Sequence, residues 1–430
     1  MKTTDTILLE KQVLLICNSL IQIFRAVLAV LAALPLVSSG VRGQDAIQML
    51  GADRQISGNQ GQVSNPEYYN LKAGPVNLRF QSDLGVVASD NVNYTDTNRV
   101  ADLYFTPEVK LRAFWPVTLE NSLYFNTGIG YVTYVKSSNL DHLDVNPDSN
   151  LAFQLYVSDV AINFHDRFSM SDDLSQAPTV SGTGSYLQIE NVSGIDAVCP
   201  LNDLVLTVGY DHDWVSYPGS QFEASAHNSD FLYGQAAITN SSITFGGEAG
   251  TGLTYYDQDI LSDNVQASAG GYIQGPLTEH FSFRASAGLA SYFFSSGAAG
   301  TNISDVVDYY ANLSLNHRIN PWLSHSLSGG HRFQETADVD LLEVYYVYYD
   351  VGFDAIHKLP VTLRLIYEHG KGYGGANETL DRYGVSFKVK YELTQKLTGV
   401  AEYDFTDKNS SVTANSYTQN QVTLQLVYNF

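Results

Sequence analysis

The chain has 430 residues, of which 16% are charged and 12% aromatic, with 34 glycines and a mean hydropathy of −0.11. That is too polar for a helical membrane protein and short of charge for a soluble globular one. A formal net charge of −22 excludes nucleic acid as a partner, because phosphate binding needs clustered Lys and Arg.

From the N-terminus, the one sustained apolar run is Ala26 to Val37, which follows Arg25 and is too short to span a bilayer as a helix. It reads as the core of a signal peptide, with Val41-Arg42-Gly43 as the cleavage region, so residues 1–43 are expected to be a removed leader. Residues 44–75 have no sustained period and are rich in Gln, Asn and Gly; they read as a flexible periplasmic lead-in to a barrel over 76–430. Cysteine usage offers no disulfide framework: Cys17 falls in the leader and Cys199 in the barrel segment.

From Val76 onward apolar and polar side chains alternate with period two, segment after segment. The pattern predicts eighteen strands, at about 76–88, 99–113, 117–135, 149–157, 160–170, 185–197, 203–216, 228–240, 242–256, 263–275, 280–294, 305–318, 323–336, 340–356, 360–371, 380–393, 397–408 and 416–430. In the second, Ala101, Leu103, Phe105, Val109 and Leu111 oppose Asp102, Tyr104, Glu108, Lys110 and Arg112. In the sixteenth, Tyr383, Val385, Phe387, Val389 and Tyr391 oppose Arg382, Gly384, Ser386, Lys388 and Lys390. In the last, Val422, Leu424, Leu426, Tyr428 and Phe430 oppose Gln421, Thr423, Gln425, Val427 and Asn429. Charged residues opposite an unbroken apolar row mean that one face suits lipid and the other water. Trp115, Trp322, Tyr131, Tyr309 and Tyr403 suit aromatic belts at the two membrane surfaces.

The connections fall into two classes. Trp115-Pro116, Ser158-Asp159, Cys199-Pro200-Leu201-Asn202, Thr239-Asn240-Ser241 and Ile319-Asn320-Pro321 read as tight turns, while 136–148, 171–184, 216–226, 371–379 and 406–416 read as long polar loops. A membrane barrel with periplasmic turns and extracellular loops segregates them in this way, and a β-sandwich has no reason to. Thr336-Ala337-Asp338-Val339 is the exception, a short connection where a long loop is due. The fold class is therefore all-β, a transmembrane antiparallel up-and-down barrel of about eighteen strands, wide enough that water or inserted loops must fill its interior. Facing that interior by alternation are Arg79, Asp83, Asp102, Glu108, Lys110, Arg112, Glu120, Arg284, Asp308, Arg364, Glu368, Arg382, Lys388 and Lys390, the expected pore lining. Mixed signs across a wet wall order water and select small polar solutes by size and charge. In the fourteenth strand either Tyr346 and Tyr348 or Tyr345 and Tyr349 must face inward.

Leu201 to Val215, Trp322 to Phe333, and Asp381 to Thr406 with the terminal YTQNQVTLQLVYNF resemble the beta-barrel porin family of Gram-negative outer membranes, the likeness covering roughly residues 75–430. The resemblance implies an outer-membrane pore or scaffold and brings no catalytic residues. It also implies that the terminal aromatics, Tyr428 and Phe430, act as a barrel-assembly signal read by the assembly machinery.

Other constellations have plainer readings. Asp144-Val145-Asn146-Pro147-Asp148 imitates the start of a calcium loop, yet Ser149 stands where glycine is required and Leu155 where a bidentate glutamate is required. Asp211-His212-Asp213 and Tyr367-Glu368-His369 place histidine beside carboxylates, but no nucleophile-elbow or metalloprotease motif accompanies them. No catalytic residue, cofactor or metal is expected. The reading is a porin-like channel for passive diffusion of small hydrophilic solutes, with lipid and lipopolysaccharide as surroundings and oligomeric state open. Its rival is a non-conducting surface scaffold or exopolysaccharide-associated protein.

Overall fold

A computed structural model describes residues 69–172, 177–184, 186–295, 303–356, 358–375 and 377–430; the expected leader and most of the lead-in lie outside them. Its strands are β1 (Leu71–Ala73), β2 (Val76–Ser89), β3 (Asp102–Pro116), β4 (Ser122–Tyr134), β5 (His142–Val145), β6 (Asn150–Val157), β7 (Val160–Ser171), β8 (Gln188–Leu201), β9 (Leu204–Ser216) and β10 (His227–Asn240). They continue as β11 (Ile243–Tyr256), β12 (Asn264–Thr278), β13 (Phe281–Phe294), β14 (Val306–Asn320), β15 (Leu323–Gln334), β16 (Leu341–Phe353), β17 (Val361–Tyr373), β18 (Thr379–Glu392), β19 (Leu397–Ser410) and β20 (Tyr417–Asn429).

From β2 onward successive wall strands pair antiparallel, and the ring closes where β20 pairs with β2, from Gln81↔Asn429 to Ser89↔Gln421. β5 and β6 are one wall strand interrupted at 146–149: β4 pairs with β6 over Ser122–Asn126 and with β5 over Ile129–Val132. β1 is a short addition that pairs only with the start of β2. The wall therefore has eighteen strands. In hydrocarbon every backbone N–H and C=O must find a partner within the protein, and closure leaves no edge to expose them.

Side chains sort as the period-two pattern requires. On β20, Val422, Leu424, Leu426, Tyr428 and Phe430 are exposed on the outside, while Gln421 to Asn429 alternate with them on the half-buried inner face. Tyr383, Phe387 and Tyr391 of β18 and Leu103, Phe105 and Val109 of β3 extend the same outer band, and Trp115, Trp322, Tyr131, Tyr309 and Tyr403 are exposed on it. The tight turns at Ser158, Asn202 and Ser241 place those residues in the left-handed region, at φ of 55°, 54° and 58°, which two-residue hairpins demand.

Three local expectations are corrected. Cys199-Pro200 is not a turn: β8 continues through Leu201, Pro200 pairs opposite Val205, and the turn lies at Asn202-Asp203. Trp115 and Pro116 end β3, so the connection falls at 117–121 and carries Glu120, exposed outside the wall. Part of the segment read as a flexible lead-in is ordered by pairing: Leu71↔Leu78 aligns β1, and the Asn70 amide bridges to the Phe80 backbone, donating to O at 2.7 Å and accepting from N at 3.0 Å.

The facing of β20 can be tested by charge. Leu424→Arg should destabilise the barrel by about 2–4 kcal/mol, as lipid-facing arginine does near the bilayer midplane, whereas Gln425→Arg on the inner face should cost far less. Urea titration followed by the heat-modifiable gel band measures both, and equal costs would contradict the assigned faces.

Candidate functional site: the lumen and its loop constriction

The inner wall is laced with ion pairs across neighbouring strands. Lys110 lies 2.8 Å from Asp83 and 3.0 Å from Glu108. Arg112 donates to Asn126 at 3.1 Å, and Arg79 reaches across the closing seam to Asn429 at 2.9 Å. Arg382 pairs with the buried Glu368 at 2.6 Å; Arg332 approaches the same carboxylate at 3.4 Å, and Tyr348 donates its hydroxyl to it. Lys388 pairs with Glu402 at 2.8 Å, with Lys390 exposed beyond it towards the turn rim. Arg364 pairs with Asp350 at 2.6 Å, both well exposed near the same rim.

The glycines of β11 and β12 let tyrosines lie against the wall. A Cβ on Gly246 would stand 2.2 Å from the Tyr272 ring, and one on Gly270 would stand 2.0 Å from the Tyr310 hydroxyl. Arg284 covers Tyr272 with its guanidinium 4.2 Å from the ring centroid, a cation–π contact, and Tyr310 donates to Glu248 at 2.8 Å.

Of the expected lining, Arg79, Asp83, Glu108, Lys110, Arg112, Arg284, Arg364, Glu368, Arg382, Lys388 and Lys390 share the inner face. Asp102 anchors a loop instead: its carboxylate accepts the backbone N–H groups of Lys136 and Ser137, the latter at 2.8 Å. Asp308 is on the inner face of β14 but is covered by protein, and Glu120 is on a turn. Tyr346 and Tyr348 face inward, with Tyr345 and Tyr349 outward. Arg332, Lys408 and Glu248, outside the expected lining, also fall on the inward phase of their strands, where alternation alone places them.

The histidines find partners across strands rather than along them. His212 bonds Asp230 at 3.0 Å and His369 bonds Asp381 at 3.0 Å, while Tyr210 and Tyr367 donate to the same two carboxylates. Asp211, Asp213 and Glu368 cannot serve, because adjacent strand residues point to opposite faces. Asp144 to Asp148 covers the end of β5 and most of the interruption after it, where Asn146 donates to Glu108 at 3.0 Å and Asn126 to the Asp148 carbonyl at 2.7 Å.

The main feature of the lumen is the loop 335–340 between β15 and β16. Pairing of β14 with β15 stops at Ala311↔His331, although β14 continues to pair with β13 up to Val306 and β15 with β16 up to Gln334. Above that point the β15–β16 hairpin leaves the wall and leans inward. Phe333 and Leu341, on its outward phase, are fully buried against Tyr292 and Val306 of the inner face of β13–β14. On the other side Val339, Leu342, Val344 and Tyr346 pack with Leu380. At the tip, Ala337 joins Ala177, Val180, Tyr186, Tyr217 and Phe222 from two other extracellular loops.

Polar bonds lock this crossing. Thr179 donates to Asp338, Ser225 to the Ala337 carbonyl, and the Ser262 N–H to Asp340, while Asn264 donates to Glu335 at 2.8 Å. Lys408, with no exposed side-chain surface, donates to the Thr179 carbonyl at 2.6 Å and pairs with the buried Glu378 at 2.9 Å. The short connection at 336–339 is short because it docks on its neighbours instead of extending into solvent. Beside the crossing is a cavity of about 350 Å³, lined by Tyr94, Tyr104, Tyr134, Tyr186, Glu108 and Gln421 among others. Tyr104 and Tyr134 are 4.6 Å apart there, and Tyr104 donates to Gln421 at 3.1 Å.

A closed eighteen-strand wall, apolar outside and ion-paired inside, defines a transmembrane β-barrel of the outer-membrane type. No protein-family pattern and no curated protein sequence matches the chain. Among solved structures the chain is similar to Pseudomonas aeruginosa OccK2 (OpdF) in complex with glucuronate, at 11% identity and a TM-score of 0.47, over 83% of this chain and 98% of that one. Pseudomonas aeruginosa OpdK with vanillate aligns at 12% identity and 0.46 over 82% and 98% of the chains. Acinetobacter baumannii OccAB3 gives 12% and 0.46 over 82% and 99%.

Burial pushes the Asp338 carboxyl above its ordinary value, against the opposing effects of the Thr179 hydroxyl and of Lys408. The crossing thus favours the neutral acid, so the associated stabilisation is complete below the ordinary carboxyl range and is lost as pH rises through the raised value. Hydrogen exchange, corrected for its intrinsic pH dependence, should show 335–340 better protected in mildly acidic than in mildly alkaline buffer, with the difference erased in Asp338→Asn. Equal protection in the wild type would contradict this.

Proposed function

We propose that the protein is a porin-like channel for passive diffusion of small hydrophilic solutes across the bacterial outer membrane. The observation that supports this most directly is the charged inner wall: solvent-reached charges such as Lys110, Arg112, Arg364 and Lys388 lie on the face opposite the lipid-suited band. Eighteen strands enclose more space than side chains alone can fill, and the inward loops narrow that space at one level. The net charge of −22 draws cations to the mouth. The acyl chains of the membrane and lipopolysaccharide would meet the outer face, and the assembly machinery would read Tyr428 and Phe430, whose rings meet edge to face 5.1 Å apart at the end of β20.

The locked crossing at 335–340 favours a second reading, a surface scaffold whose lumen is shut and whose loops do the binding. Planar-bilayer recording separates the two: purified protein should give discrete conductance steps as a channel and none as a scaffold. In a salt gradient the reversal potential should indicate a mild cation preference, and anion preference would refute the electrostatic part of the reading. Deleting Phe430 should lower the amount of folded protein at the cell surface several-fold; unchanged surface levels would count against an assembly role.

A further inference from the structure

Where the β15–β16 hairpin leaves the wall, three side chains from three strands converge. Asp308 comes from the inner face of β14, and His331 and Glu343 from the outward phase of β15 and β16. One donor atom from each lies within 4.8 Å of the others, and all three residues are buried. In a regular barrel Asp308 would be on the opposite side of the wall from the other two. The inward lean of the hairpin turns them to face one another.

His331 is the informative member. It is 2% exposed, and neither of its ring nitrogens has a hydrogen-bond partner. Tyr345 stacks on its ring at 4.3 Å and 13°, while Phe333 and Tyr309 contact it at 5.0 Å and 4.6 Å, so the ring is held in one plane. Glu343 Oε1 lies 3.4 Å from Nε2, and Glu343 Oε2 accepts the Tyr373 hydroxyl at 2.7 Å. Burying an imidazole without satisfying its nitrogens costs free energy. An electrophile shared with the two carboxylates would remove that cost.

We propose that Asp308, His331 and Glu343 form a binding site for a divalent zinc-like cation. One imidazole nitrogen and two carboxylate oxygens suit zinc, which takes both donor types, better than calcium, which prefers oxygen alone. His331 Nε2 and Glu343 Oε1, 3.4 Å apart, already have the separation expected of two tetrahedral donors about 2.0–2.2 Å from one ion. The Glu343–Tyr373 bond is the outer contact that orients a ligand in such sites. Since β14 and β15 exchange no backbone hydrogen bonds above Ala311 and His331, the ion would tie the hairpin to the wall where the ladder does not.

The test uses the whole protein in detergent, stripped with EDTA and titrated with zinc alone, and does not depend on whether solutes pass. Calorimetry and elemental analysis should give one saturable ion per chain, and calcium at equal concentration should not compete. His331→Ala should weaken zinc binding at least tenfold while the barrel keeps its heat-modifiable gel mobility. If that variant does not fold, the near-isosteric Asp308→Asn carries the same expectation. Absence of saturable zinc binding in the wild type, or undiminished affinity in the folded variants, would overturn the assignment. So would loss of binding in His317→Ala instead, which would place the ion on the His317–His325 pair, whose ring nitrogens are 3.0 Å apart.

Discussion

Everything in this molecule rests on one demand, that no backbone polar group face hydrocarbon unpaired. The wall meets it by joining β20 to β2, and side chains reinforce the join: Arg79 bonds Asn429 at 2.9 Å, and Asp83, paired with Lys110, lies 3.4 Å from the Gln425 amide. Once the ladder is closed, each strand has only two faces, and the alternation of side chains assigns them. Charge can line the interior because the exterior is given over to Val, Leu, Phe and Tyr.

The architecture was legible because period-two alternation is a local property. QVTLQLVYNF at the terminus and RYGVSFKVKY in β18 each state their facing without help from the rest of the chain. Strand ends were less legible: a rigid-looking Cys199-Pro200 reads as a turn, yet at a strand position whose partner is Val205 the fixed φ of proline is tolerated. β5 escaped notice because HLDV is too short to declare a period and is followed by the interruption at Asn146.

The crossing of the lumen was not legible, and the reason is physical. Which loop folds inward depends on contacts between segments far apart in sequence, such as Lys408 with Thr179 and Asp340 with Ser262. The one trace in the sequence is the shortness of 336–339 at a place where long loops are due. Asp308, His331 and Glu343 are likewise unremarkable as residues, since strand phase alone puts Asp308 on the opposite face from the other two. Arg332 and Lys408 are a different case, being on the inward phase of their strands and therefore within reach of the alternation rule.

The join between β2 and β20 also sets an order of events. Gln81 meets Asn429, so the two strands that close the ring are the first and the last of the wall to be made. Contacts this distant in the chain form slowly, because the entropy of closing so large a loop is spent before any pairing returns it. Until β20 has been exported, the polypeptide holds its apolar rows beside two unsatisfied edges, a state prone to self-association in water. A chain with this topology therefore carries unpaired strand edges for the whole interval between the making of its first wall strand and its last.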